Sequence, residues 1–107
     1  MKKEMIKVSV LYSNGEGKKF DFDYYIGKHI PLVSKTLGEA LVDASYDKGL
    51  GGAAPGSEAP FKAIANLFFN SMEEFGQAFE KGAPILMADI PNFTNIEPII
   101  QINEVVA

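Results

Sequence analysis

The run FKAIANLFF, residues 61–69, limits what this chain can fold into more than any other stretch. An extended backbone sends alternate side chains to opposite faces. Phe61, Ala63, Ala65, Leu67 and Phe69 therefore share one face, while Ile64 and Phe68 lie on the other. A strand apolar on both sides belongs within a sheet, with something packed over each face. The rest of the chain must supply both the neighbouring strands and the covering layers.

MIKVSVLY, residues 5–12, sets Ile6, Val8, Val10 and Tyr12 against Lys7 and Ser9, which is the period of a strand. A polar turn follows at 13–19. From Asp21, suited to capping the first amides of a helix, apolar positions recur at three- and four-residue spacing through Phe22, Tyr25, Ile26, Val33 and Leu37. Gly38 is placed to end that helix. Residues 40–48 predict a second strand, and GLGGAAPGSEAP, residues 49–60, a long loop. Ser71 and Glu74 form a capping box that opens a second helix through Met72, Phe75, Phe79, Ile85 and Leu86, with an interruption expected at Gly82 and Pro84. Residues 89–95 read as a turn held by Asn side chains, and 96–106 as a fourth strand in which Pro98 points to an edge or bulged position.

The order β-α-β-β-α-β predicts an α+β, ferredoxin-like fold: a four-stranded antiparallel sheet with two helices on one face. At 107 residues, with no linker or low-complexity tract, residues 1–107 read as a single domain. The helices cover only one face. A second copy stacked sheet to sheet is the simplest cover for Ile64 and Phe68, so a homodimer through the open face is expected.

Fourteen acidic against ten basic residues give a net charge of -4, which disfavours nucleic acid and anionic membranes as partners. The absence of cysteine excludes disulfides, thiolate nucleophiles and Cys-based metal sites. MKKEMIKVSV is basic and then apolar, but it alternates with Lys7 and Ser9 as a strand does, and no run approaches the roughly 18 apolar residues that span a bilayer. A cytoplasmic location is the default expectation. The Gly-rich loop joins two strands and is followed by no Lys-Ser/Thr, so neither nucleotide-binding fingerprint applies.

The chain's one histidine, His29, falls on the same helical stripe as Tyr25 and Val33, so its ring is expected to face the sheet. Pro31 lacks an N–H and crowds the carbonyl of residue 27, which is a glycine. The helix is therefore expected to kink or break around Lys28 to Pro31 and to leave a gap beside the imidazole. A cavity holding a titratable group is the ordinary description of a small-molecule site. His29 is the candidate general acid or base. Tyr12, Tyr25, Ile26, Tyr46 and Phe93 are the candidate ligand contacts, Tyr24 offers a further hydroxyl, and Asp47, Asp89 or neither partners the histidine. One histidine among scattered carboxylates shows no metal-ligand spacing, so neither metal nor cofactor is expected.

With these residues in view, the chain resembles the EthD family. The likeness runs from about residue 5 to 105 and is carried by MIKVSVLY, by Tyr24, Tyr25, Lys28, His29 and Pro31, by GGAAPGS, and above all by MADIPNFTNIEPIIQI. The resemblance implies the dimeric α/β-barrel group, in which ferredoxin-like protomers pair. It also implies an association with the breakdown of organic compounds such as fuel ethers. Similar barrels include polyketide cyclases, cofactor-free monooxygenases and muconolactone isomerases. Some family members carry a reductase label, yet no flavin or nicotinamide fingerprint is present here. Two functions stay open: an enzyme that moves a proton through His29 on a small, largely apolar molecule, as in isomerisation or cyclisation, and a non-catalytic binding or accessory protein of an oxygenase pathway. A purely structural histidine is the third reading.

Overall fold

Alternation within Ile6–Ser13 produces the central strand, because burying every second side chain ties that strand to one register. The computed structural model describes residues 3–107. In it β1 (Ile6–Ser13) pairs antiparallel with both β3 (Phe61–Phe69) and β4 (Ile99–Glu104), while β2 (Asp43–Lys48) pairs antiparallel with β3. The sheet order is β2-β3-β1-β4, the ferredoxin-like arrangement. Val8 stands opposite Leu67 and Ile102, and Val10 opposite Ala65 and Ile100, which makes one apolar face for the helices.

The first helical run has three consecutive parts: α1 (Phe22–Tyr24), a π-helical turn (Tyr25–His29) and α2 (Ile30–Leu37). Asp21 caps it by accepting the Tyr24 N–H, and Gly38 ends it at φ +60°, a conformation that favours glycine. The kink or break expected around Lys28 to Pro31 takes the form of this π turn, which includes Lys28 and His29 and does not interrupt the run. The Ile30 N–H bonds the Tyr25 carbonyl five residues back, and Pro31 falls in the first turn of α2, where a proline is tolerated. The second helix, α3 (Met72–Asp89), is also continuous through Gly82 and Pro84. Pro84 costs it one internal hydrogen bond, but burial of Phe75, Gly82 and Leu86 on either side of that point holds both halves in line. Its start is capped as expected, Ser71 Oγ accepting the Glu74 N–H.

Two strand boundaries differ from expectation. β2 begins at Asp43, because Gly38–Ala40 wind one further 3₁₀ turn closed by the Leu41 N–H on the Gly38 carbonyl. β4 begins at Ile99, so Pro98 precedes this edge strand and does not interrupt it. Ile96 is instead packed into the core, its N–H bonded to Thr94 Oγ1.

The core has two adjoining parts. One packs Val33 and Leu37 of α2 and Phe75 and Leu86 of α3 onto Ile6, Val8, Leu67 and Phe69. The other gathers Tyr12, Tyr25, Ala63, Phe93 and Ile96. The open face is less apolar than Ile64 and Phe68 suggest. Phe68 is already 2% exposed, and Gln101, Asn103, Ser9, Asn66 and Ser45 form a hydrogen-bonded row across the strands.

Candidate functional site

The buried residues Tyr25, His29, Val33 and Leu37 are spaced by four throughout. In an α-helix four residues turn through roughly 400°, so such a row drifts by about 40° at each step. The π turn from Tyr25 to His29 holds more residues per turn and absorbs that drift where it starts. Both ends of the turn are thereby aimed at the sheet, and His29 is only 5% exposed. Gly27 has nothing within 4 Å of where a Cβ would stand, so its role is not one of close contact.

His29 Nδ1 lies 2.9 Å from Asp89 Oδ2. Asp89 is the last residue of α3, where it meets the first helical run, and its side chain is 13% exposed. Its other oxygen accepts from the Tyr24 hydroxyl at 2.7 Å and from Asn92 Nδ2 at 2.9 Å. Burial opposes charge on this carboxyl, but the hydrogen bonds from Asn92, Tyr24 and His29, with the attraction of the imidazole, outweigh it and hold Asp89 below the usual carboxylate range. Donation to Asp89 pushes the Tyr24 hydroxyl up.

An ionised carboxylate only accepts. A neutral His29 must therefore carry its proton on Nδ1, which leaves the Nε2 lone pair free; among the described residues Nε2 has no partner. The ring stacks on Tyr25 at a centroid distance of 5.8 Å and meets Phe93 at 4.6 Å, and as Tyr25 and Phe93 are themselves 5.2 Å apart, the imidazole stands at one corner of a three-ring cluster. It lines a cavity of about 40 Å³ between the helices and the sheet, with Tyr12, Tyr25, Tyr46, Leu86 and Ile100 among the walls. By the rule that roughly 10–15 Å³ houses one water, this is room for about three. Burial pushes the hydroxyls of Tyr12, Tyr25 and Tyr46 up, so all three are neutral donors. Those of Tyr25 and Tyr46 are buried with no partner among the described residues.

The structure thus brings His29, Tyr12, Tyr25 and Tyr46 together and separates two other candidates from them. Phe93 packs against the imidazole and Tyr25 and does not line the cavity. Ile26 is 62% exposed on the outer face, because the inward row runs from Tyr25 by fours and leaves its neighbour pointing away. Asp47 sits on the open face of the sheet near Asn66, so Asp89 is the histidine's carboxylate. Tyr24 serves that carboxylate and not the cavity. No residue of loop 49–60 lines the cavity either. Asn92 was missed from sequence, although the expected Asn-rich turn contains it. Asn95 holds that turn, its amide donating to the Gly17 carbonyl and its oxygen accepting the Lys19 N–H. Among the described residues no three His, Cys, Asp or Glu side chains are grouped to hold a metal, and no helix is long and apolar enough to cross a membrane.

The EthD domain model matches residues 14–97. An EthD-like protein of Ralstonia eutropha JMP134 superposes with a TM-score of 0.91 at 39% identity, over 99% of this chain and 96% of that one. An ethyl tert-butyl ether D (EthD) family protein of Bacillus halodurans C-125 gives a TM-score of 0.72 at 25% identity, over 94% of this chain and 97% of that one. An uncharacterised 11.0 kDa protein from the thcB–thcC intergenic region of Rhodococcus erythropolis is 31% identical over 93 residues, 85% of each chain.

Proposed function

The chain belongs to the EthD family, and from that membership we propose that it is an enzyme acting on a small, largely apolar organic molecule held between the helices and the sheet. His29 is its general acid and base, in a proton-transfer reaction of the isomerisation or cyclisation type. One observation carries this reading: a buried imidazole that lines an apolar cavity is anchored at Nδ1 by an ionised carboxylate, which leaves the Nε2 lone pair free. Asp89 orients the ring, selects the tautomer that accepts a proton and stabilises the imidazolium that forms. The surrounding hydrocarbon lowers the local dielectric and strengthens these interactions.

The setting we propose is the breakdown of small organic compounds, which the ethyl tert-butyl ether designation of the Bacillus halodurans relative supports. A homodimer through the open sheet face belongs to the same proposal, supported by Ile99 on that face at 55% exposure. Light scattering at micromolar concentration tests it, and a monomer would refute it.

The test of function is a saturation-transfer NMR screen of small apolar organic compounds, followed by product detection for each binder. Wild type should convert at least one binder, and His29→Gln should do so about 10²–10⁴-fold more slowly while binding it equally. Binders recovered unchanged from wild type would instead mark a non-catalytic binding protein. Equal conversion by the variant would remove His29 from the chemistry.

A further inference from the structure

Two hydroxyls in the cavity play no part in the Asp89–His29 pair. Among the described residues the phenol oxygens of Tyr25 and Tyr46 are buried without any hydrogen-bond partner, and both residues line the cavity. Their rings meet edge to face at a centroid distance of 6.0 Å. An unpartnered buried hydroxyl is costly and rare in folded proteins, so two in one cavity point to an absent acceptor.

The walls decide what kind of acceptor fits. Apart from the tyrosines and His29, every lining residue is aliphatic, phenylalanine or methionine, and no Lys or Arg is among them. The Asp89 carboxylate, bonded to His29, stands directly behind this wall. A carboxylate or phosphate ligand would be buried with no cation in the lining and beside a like charge. A neutral oxygen with two lone pairs meets both hydroxyls without that cost.

Resting on the function proposed above, we infer that the ligand is a small neutral ketone or lactone whose carbonyl oxygen accepts from the Tyr25 and Tyr46 hydroxyls and whose adjacent C–H faces His29 Nε2. The Nε2 lone pair takes the α-proton. The C–H electron pair becomes a C=C bond, and the carbonyl π pair moves onto oxygen to give an enolate held by the two phenols. The imidazolium, stabilised by Asp89, then returns the proton to the same carbon, or to the distal carbon of a conjugated system to give an isomer. No electrons enter or leave, so no oxidant or reductant is required. The cavity volume of about 40 Å³ restricts the ligand to a compact molecule.

Acetone in D₂O is the probe, with ¹H NMR following exchange of its α-hydrogens in the presence of the full-length protein. Wild type should accelerate exchange above buffer. Tyr25→Phe and Tyr46→Phe should each lose about 10²-fold of that acceleration, and His29→Gln about 10²–10⁴-fold, while saturation transfer still detects bound probe. Both phenylalanine variants remove only an unpartnered oxygen, and unchanged circular dichroism checks their fold. Wild-type exchange no faster than buffer overturns the inference. If both phenylalanine variants exchange at the wild-type rate while His29→Gln does not, the carbonyl inference falls and proton transfer by His29 stands. If His29→Gln exchanges at the wild-type rate, both fall.

Discussion

His29 Nδ1 meets Asp89 Oδ2 at 2.9 Å, joining residues 60 apart in sequence at the junction of the two helical runs. The contact carries more than attraction, since it determines which ring nitrogen holds the proton. Asp89→Asn preserves the shape but replaces an obligate acceptor with a group that also donates. Turnover should fall by about 10²–10⁴-fold. ¹⁵N NMR should show the His29 proton no longer confined to Nδ1, a change that simple loosening of the fold would not produce.

Acid stability should reveal the same carboxylate. The folded carboxyl of Asp89 titrates below its ordinary value, so its contribution to stability is fully present above the unfolded value of about 3.9 and is lost as pH falls through the folded one. Urea midpoints measured from pH 6 down to pH 2 should fall less steeply for Asp89→Asn than for wild type. Tyr24→Phe removes one of the donors that lower this carboxyl and should move the loss to higher pH.

Tyr25→Phe and Tyr46→Phe should not weaken the protein. Each deletes a buried oxygen with no partner while keeping the ring that packs, so stability should rise by about 1 kcal/mol. Chemical denaturation of the ligand-free protein checks this, and a clear loss would mean that the hydroxyls are already satisfied.

Two glycines in α3 should respond in opposite directions. A Cβ at Gly82 would come within 2.8 Å of Thr36 Cγ2 and 3.3 Å of Leu37 Cδ2, so Gly82→Ala must displace these packed side chains and should cost about 1–3 kcal/mol. Nothing lies within 4 Å of a Cβ at Gly76, where Gly76→Ala should stabilise the helix by about 0.5–1 kcal/mol. Thermal melts of the two variants provide the comparison.

Much of the fold is legible in residue order because side-chain period mirrors local backbone geometry. The alternation in Ile6 to Tyr12 and the two-sided apolar run at 61–69 announce strands that must lie inside a sheet, and these are β1 and β3, the two central ones. Capping by Asp21 and Ser71 is equally local and equally readable. Proline was the misleading signal. Pro31 and Pro84 each remove one hydrogen bond, which suggests breaks, yet the packed residues beside them keep both helical runs continuous. The same effect displaced Ile26, since a stripe drawn at ordinary helical spacing includes it and a π turn leaves it outside.

The sequence by itself determined the order of elements, the ferredoxin-like class and the inward direction of His29, since each follows from contacts among residues a few positions apart. Only the tertiary structure decided that Asp89 and not Asp47 partners the imidazole, that Tyr24 and Asn92 hold that carboxylate, and that two tyrosine hydroxyls are stranded in the cavity. Those pairings depend on where the end of one helix comes to rest against another across dozens of residues. That position is set by packing of the whole core and leaves no periodic trace in the chain.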